Sequence, residues 1–215
     1  MEIWHDPVSY TRSIGCKTLA LYFARHGQTN WNRVRRWQSR TDIPLNQTGR
    51  RQARALSQLI RSRDIVFKRV VCSPLSRARE TAEILMDGFE PALEIDSRLV
   101  ELDLGEFEGR LESELGKELG ERYDEWKSQI YLDPAPNGEG ILDVARRVEP
   151  VLLALLDTPG HVLVVGHQGV NMALKANLSN CFTVECLSSF RQRNDEIDLW
   201  EITPPRSVMR ISARD

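Results

Sequence analysis

Apolar positions along this chain come in two kinds of run. Thr18–Ala24 reads TLALYFA with almost no polar alternation, as a strand does when both of its faces are covered. Arg69–Cys72 and His161–Val165 are shorter segments of the same kind. Elsewhere the apolar residues fall at helical spacing. Ala53, Leu56, Leu59 and Ile60 share one face of Arg51–Ile60, and Asn46 is placed to cap that helix. Leu75–Met86 turns Ala78, Ala82 and Leu85 inward, with Ser73 as a predicted N-cap and Pro74 at the first helical position. The stripe Ile141, Val144, Ala145, Val148, Val151, Leu152 and Leu155 predicts a long helix over Ile141–Leu156, and Pro150 inside it predicts a kink near Arg146 or Arg147.

Weaker patterns fill the rest. Gly88 to Gly109 reads as loop, and Leu111 to Gln129 as a helix weakened by Gly116 and Gly120. DPAPNGEG is a connecting loop, Val170–Ala176 a further helix, and Ile197–Thr203 and Val208–Ile211 the last strand candidates. Strands alternating with helices argue for an α/β sheet that is mostly parallel.

Sheets of that kind hold their sites just beyond the carboxyl ends of their strands. The first strand here ends at Arg25-His26, the second at Ser73 with Arg77 a few residues on, and a third at Gly166-His167. If the three are neighbours, two arginines and two histidines meet in one crevice, together with two helix N-termini that favour anions. Guanidinium groups match the oxygens of a tetrahedral oxyanion. A histidine among cations stays neutral near pH 7, and neutral imidazole is a nucleophile. Attack on phosphorus would give a phosphohistidine, and the leaving alkoxide would need a nearby carboxylic acid. LVELDLGEFEG, Leu99 to Gly109, offers Glu101, Asp103, Glu106 and Glu108, and spacing alone does not choose among them.

Composition narrows the partners. The 215 residues are 41% hydrophobic and 28% charged with a net charge of -2, so bulk charge does not argue for nucleic acid. Arginines cluster at Arg33, Arg35, Arg36 and Arg40 and again at Arg50, Arg51 and Arg54; a solvated face is the plain reading, a positive rim for an anionic substrate the sharper one. No apolar run is long enough to span a membrane, and MEIWHDPVSYTRSIGCK lacks the apolar core of a signal peptide. The four cysteines, Cys16, Cys72, Cys181 and Cys186, form no close metal-type pair, which predicts free thiols, a reducing compartment and a cytoplasmic protein.

Five ordered segments give the chain a resemblance. Arg25-His26-Gly27-Gln28-Thr29 with Asn32, Cys72 to Ala78 with Thr81-Ala82, Leu99-Val100-Glu101 with Gly105 and Glu108-Gly109, Pro136-Asn137-Gly138-Glu139, and Val165-Gly166-His167 together resemble the histidine phosphatase, or phosphoglycerate-mutase-like, superfamily. The resemblance runs from about Thr18 to Thr203. It implies a three-layer sandwich: a mostly parallel central sheet with helices on both faces. Residues 1–17 would be an N-terminal extension and 18–215 a single domain with a lid-like helical insertion around 110–139. His26 would be the phosphorylated nucleophile, Arg25, Arg77 and His167 the phosphoryl clamp, and Glu101 the acid and then the base. Asn32, Gln38 and Ser39 would contact substrate, and Gln168 would offer its backbone N–H. Tyr123, Trp126 and Tyr131 are placed to form a lid, and Trp31 and Trp37 are read as packing residues.

The implied activity is metal-independent hydrolysis of a small phosphorylated metabolite, with no cofactor, no nucleic acid, no membrane, and a homodimer as the candidate assembly. A phosphoglycerate mutase and a non-catalytic phosphate-binding module are the two alternatives; the GEFEG segment looks like the phosphatase branch. Three positions depart from the family: Ser39 where Gly is common, Gln168 where a small residue is common, and Gly140 where Ser is frequent. The last removes a capping hydroxyl and predicts a looser loop.

Overall fold

Along the first strand, Leu21 and Phe23 are packed into one hydrophobic core and Ala20, Tyr22 and Ala24 into another. Period-two alternation between two apolar surroundings is what a central strand requires. The computed structural model describes residues 19–87, 90–129, 132–202 and 205–214. Its sheet has the order β3-β2-β4-β1-β5-β6, made of β1 (Ala20–Arg25), β2 (Phe67–Cys72), β3 (Leu93–Ile95), β4 (His161–Gly166), β5 (Glu196–Ile202) and β6 (Pro205–Ser212). The first four strands run parallel, while β5 and β6 are added antiparallel beyond β1.

On one face lie α2 (Gln47–Ser62) and α3 (Ser76–Met86), which contribute Leu56, Ile60, Ala78, Ala82 and Leu85 to the core there. On the other lie α6 (Ile141–Leu156) and α7 (Gln168–Ser179), with Val144, Val148, Leu155, Met172 and Leu174. The result is a three-layer α/β sandwich. The remaining helices are α1 (Asn30–Arg33), α4 (Glu112–Leu119), α5 (Glu121–Ser128) and α8 (Val184–Ser189). A third, smaller core joins Phe107, Leu115, Tyr123 and Ala135, with Trp37 and Trp126 packed against it.

Several local expectations change. Asn46 does cap α2, accepting from the Gly49 N–H at 2.9 Å. Ser73 does not cap α3: the helix starts at Ser76, and Asp42 Oδ1 accepts from both the Ser76 N–H and its hydroxyl at 2.7 Å. Segment 111–129 is two helices, not one, because Gly120 turns the chain at a φ of 56°. Two short elements carry too little pattern to be read from sequence, β3 and α8. α6 is a single helix with Pro150 inside it, on an exposed position.

Gly140 leaves its loop well tied. Its N–H donates to Asp143 Oδ2 at 3.0 Å, and Glu139 next to it accepts from Arg147 at 2.9 Å and from the Asp103 N–H at 3.0 Å. Cys181 and Cys186 are joined in a disulfide between the end of α7 and α8, which overturns the reading of all four cysteines as free thiols and removes its argument for a reducing compartment. Two thiols sharing one turn of loop cannot be told from unpaired ones by sequence spacing. Cys72 is a free, buried thiol, held up near 11 by burial. Residues 1–17, Thr18, Tyr131 and Thr203, for which the sequence raised expectations, lie outside the described residues. Among the described residues no helix is long and apolar enough to cross a membrane.

Candidate active site

β1, β4 and β2 are neighbours, so their carboxyl ends open together. Arg25 pairs with Gly166 in the register, the His26 N–H reaches the Gly166 carbonyl at 3.0 Å, and the Ser73 N–H reaches that of Val165 at 3.1 Å. That alignment brings His26 and His167 to a ring separation of 5.1 Å, tilted by 59°. Both rings are buried, as is Arg77.

His26 has a defined tautomer. Nδ1 lies 2.8 Å from the Gly27 carbonyl, which can only accept, so Nδ1 carries the proton and Nε2 keeps its lone pair. Burial and the charges of Arg77 and Arg25 hold its pKa well below the ordinary 6.5. His167 is held below that value by burial and by Arg77 first among its charged neighbours. Its Nε2 meets the Ser73 hydroxyl at 2.8 Å while Nδ1 is buried without a partner.

Arg77 donates to the carbonyls of Thr41 at 2.9 Å and Ser39 at 2.5 Å. Its Nε has no partner, and burial pushes the guanidinium down to about 10. Arg25 donates to the Gln192 carbonyl at 2.8 Å and to Gln168 Oε1 at 3.2 Å. The Glu101 carboxylate accepts from the N–H groups of Leu102, at 2.8 Å, and of Gly169, at 3.1 Å. These bonds favour ionisation, yet burial outweighs them and raises its pKa above 4.5. A β-carbon at position 169 would stand 2.8 Å from Glu101 Oε1, so only glycine lets the carboxylate reach the start of α7.

With both imidazoles neutral and burial raising the Glu101 pKa, Arg25 and Arg77 leave the crevice with excess positive charge. A doubly charged tetrahedral anion would neutralise it and satisfy the orphaned donors. The helix N-termini do not perform that task as expected. Asp42 occupies the start of α3 and Glu101 the start of α7.

A cleft of about 290 Å³ adjoins this cluster, lined by Arg25, Glu101, Asn32, Gln38, Gln168 and Trp37 among others. Asn32 turns its oxygen to the Thr29 N–H at 3.1 Å, which directs its NH₂ elsewhere. Gln38 accepts from the Thr29 hydroxyl at 2.5 Å, and its Nε2 is buried without a partner. Gln168 lines the cleft, and its side-chain Oε1 accepts from Arg25 Nη1 at 3.2 Å. Ser39 does not reach the cleft. Its buried hydroxyl donates to the Leu102 carbonyl at 2.7 Å and accepts from the Leu104 N–H at 3.2 Å, a loop-to-loop tie.

The arginine cluster divides. Arg35 and Arg36 line the cleft, whereas Arg40 pairs with Asp103 and Glu139, and Arg50 with Glu80. Tyr123 and Trp126 do not line the cleft. They pack behind Trp37, which does: the Trp37 Nε1–H donates to the Tyr123 hydroxyl at 3.0 Å, and the Trp126 ring lies 5.4 Å away. Gly27 is glycine because its β-carbon would stand 2.6 Å from the Gly49 carbonyl oxygen in α2.

Four supporting residues escaped the sequence reading. Asn194 donates to the His26 carbonyl at 2.8 Å and lines the cleft. Gln192 spans the Phe23 carbonyl, Asn171 and Arg25. Thr81 accepts from the Gly27 N–H at 3.0 Å and donates to the Arg77 carbonyl at 2.7 Å. Asp42 caps α3. The polar run from Arg191 to Glu196, set directly before a strand, was the available signal for the first two.

Known proteins resemble this chain in sequence and fold. The family model described as "Histidine phosphatase superfamily (branch 1)" matches residues 21–210. A relative from Cronobacter sakazakii, named "Probable phosphoglycerate mutase GpmB", is 34% identical over 182 residues, covering 81% of this chain and 80% of its own. A mycobacterial glucosyl-3-phosphoglycerate phosphatase solved with VO3 superposes with a TM-score of 0.79 at 26% identity, over 88% of this chain and 97% of that one. YhfR of Bacillus stearothermophilus does so with a TM-score of 0.75 at 28% identity, over 89% and 95%. With paired histidines and arginines at the strand ends and a family match across nearly the whole sheet, this chain belongs to branch 1 of the histidine phosphatase superfamily.

Proposed function

We propose that the protein hydrolyses a small phosphomonoester through a phosphohistidine on His26. The observation that carries this reading is the Nδ1 contact to the Gly27 carbonyl, which leaves Nε2 unprotonated near the buried guanidinium of Arg77 and the half-buried one of Arg25. Nε2 would bond to phosphorus as the ester P–O bond breaks. The Gly27 carbonyl would then stabilise the positive charge gained by the ring. Arg25, Arg77 and His167 would neutralise and hold the phosphoryl oxygens, with the Asn32 amide adding a donor. Glu101, protonated, would give its proton to the leaving alkoxide. As a carboxylate it would take one from the attacking water, whose oxygen displaces Nε2 and releases inorganic phosphate.

The setting proposed with it is the cytoplasm and the partner a small phosphorylated metabolite. Alkylation of thiols in intact cells, with Cys181 and Cys186 compared, tests that setting, because a bridge formed before lysis would count against it.

Rapid quench with a labelled phosphomonoester should give an acid-labile phosphoryl group on His26. The label should be absent from His26→Ala, and turnover should survive a chelator. Label on serine or cysteine would overturn the mechanism. The second reading, a mutase, is favoured by the name of the Cronobacter relative. Incubation with 3-phosphoglycerate, with and without 2,3-bisphosphoglycerate, separates the two. Hydrolysis predicts inorganic phosphate; fast isomerisation with little phosphate release would assign the mutase.

A further inference from the structure

Ser73 directly follows β2 and is fully buried, and its hydroxyl does not cap α3. Its N–H is tied to the Val165 carbonyl at 3.1 Å, across the pairing of β2 with β4 and two residues before His167. The hydroxyl itself has two partners. It accepts from the Leu75 N–H at 3.3 Å, and it lies 2.8 Å from His167 Nε2. The reaction proposed above gives this hydroxyl no task.

His167 is a fully buried ring with a partner on one nitrogen only. Nδ1 is buried without one, and the ring does not cap α7. Burial, with Arg77 first among its charged neighbours, holds the ring neutral. One proton therefore has two nitrogens to choose between, and Ser73 decides the choice. With the proton on Nε2, Ser73 Oγ would accept from both Nε2–H and the Leu75 N–H. Its own proton would then have no acceptor among the described residues, and Nδ1 would hold an unsatisfied lone pair. With the proton on Nδ1, Oγ accepts from Leu75 and donates to Nε2, and only the Nδ1–H is left over. One unsatisfied buried group against two decides for the proton on Nδ1.

The group left over is of the useful kind. The two nitrogens of an imidazole point to different sides of the ring, so Nδ1 is turned away from Ser73. The ring lies 5.1 Å from that of His26. A donor there suits a phosphoryl oxygen, whereas a lone pair would repel it.

We propose that Ser73 is a positioning residue: by donating to Nε2 it holds His167 with its proton on Nδ1, so that the ring offers the phosphoryl oxygens a donor and not a lone pair. The two histidines then carry the same tautomer and present opposite nitrogens. The Gly27 carbonyl at Nδ1 leaves His26 a nucleophile, and the Ser73 hydroxyl at Nε2 leaves His167 a donor. This rests on the proposed phosphoryl site and adds the residue that sets the protonation of its second histidine.

The test reads the tautomer directly. In the full chain labelled with nitrogen-15 histidine, long-range nitrogen–proton spectra near pH 7 distinguish a protonated from an unprotonated ring nitrogen, and His167→Ala assigns the signals. His167 should show a protonated Nδ1 and an unprotonated Nε2, and the Nδ1–H should shift when inorganic phosphate is added. Ser73→Ala should give a mixture of tautomers. A proton on Nε2 in the unsubstituted protein overturns the role of Ser73 without any variant having to fold, and so does an unchanged His167 spectrum in Ser73→Ala. The expected tautomer with an Nδ1–H that ignores phosphate overturns the phosphoryl contact instead. Rates give an independent reading. Ser73→Ala should lower kcat/KM for an aryl phosphate by about tenfold, less than the loss expected from removing a donor outright. In a protein already carrying His167→Ala it should cost less than about twofold, because Ser73 acts through that ring. Equal losses in the two backgrounds would assign Ser73 to packing and overturn the proposal. Absence of turnover in the unsubstituted protein overturns the hydrolysis, and the tautomer then still decides the role of Ser73.

Discussion

Arg77 and Lys175 are both fully buried cations, one on each side of the same sheet, and they are treated in opposite ways. Lys175 meets Asp198 in an ion pair, donates to the Phe190 carbonyl at 3.2 Å and lies 5.9 Å from the centre of the Phe23 ring. Burial pushes it down to about 8 while Asp198 pulls it back up. Arg77 has only two backbone carbonyls and an orphaned Nε. A buried charge is tolerated when it is paired and hydrogen-bonded. The fold closes the first charge with its own carboxylate and leaves the second to be closed by something that binds. Glu101, a buried carboxylate with N–H partners, belongs to the second kind of environment.

The widest separation between the two is expected from removing each cation. Arg77→Met should lower kcat/KM for a phosphomonoester by about 10³-fold or more, because a charge aimed at the transferring phosphoryl group is lost. It should cost stability clearly less than the lysine change, about 1–2 kcal/mol, because the Ser39 and Thr41 carbonyls lose a donor but no buried carboxylate is orphaned. Lys175→Met should do the reverse. Asp198 keeps Arg210 but loses its buried partner, at a cost of about 3 kcal/mol and a fall in melting temperature of roughly 6–12 °C. Turnover per folded molecule should be unchanged. Paired thermal melts and initial rates decide it, and equal loss of stability in both variants would break the comparison.

A smaller effect tests Glu101. Its raised pKa keeps the acid form present above the ordinary 4.5, and the lowered pKa of His26 keeps the nucleophile neutral below 6.5. Activity should therefore fall at acid pH as His26 takes a proton and at higher pH as Glu101 loses one. Glu101→Gln should cost on the order of 10²-fold with poor leaving groups, much less with good ones, and should abolish the alkaline limb. The ester's own ionisation is common to both proteins and cancels when their profiles are compared. An alkaline limb that persists in the variant would assign it to another group.

The smallest effect concerns Gly140. Its φ of -89° and ψ of 167° are extended, and an added β-carbon would meet nothing nearer than 3.4 Å. Gly140→Ser should stabilise by a few tenths of a kcal/mol through a better N-cap, visible as a small upward shift in denaturation midpoint. Destabilisation would mean that the bonds around Glu139 and Asp143 depend on glycine there.

Which site residues could be read from the chain follows from how their roles are encoded. Arg25, His26 and His167 stand at the abrupt ends of apolar strands, and Arg77 follows close behind another, so topology alone directs them to one crevice. Glu101 was one of four carboxylates in a loop, and the resemblance singled it out before its geometry did. Its distinction from Asp103, Glu106 and Glu108 is burial against α7, a contact between positions far apart in sequence. Ser39 shows the converse. Its neighbour Gln38 lines the cleft, and one residue of rotation turns the hydroxyl to Leu102 instead.

Local pattern by itself determined five of the six strands, the three longest helices, the alternation that makes the sheet parallel over most of its width, and the convergence of its polar strand ends. Those depend on periodicity and on short-range geometry, which a linear chain carries in full. Tertiary structure alone decided the start of α3 on Asp42, the bond between Cys181 and Cys186, the support of His26 by Asn194, and which buried cation receives a carboxylate. Each of these joins groups from separate elements, and its energy depends on distance, burial and direction that come into being only when the layers pack.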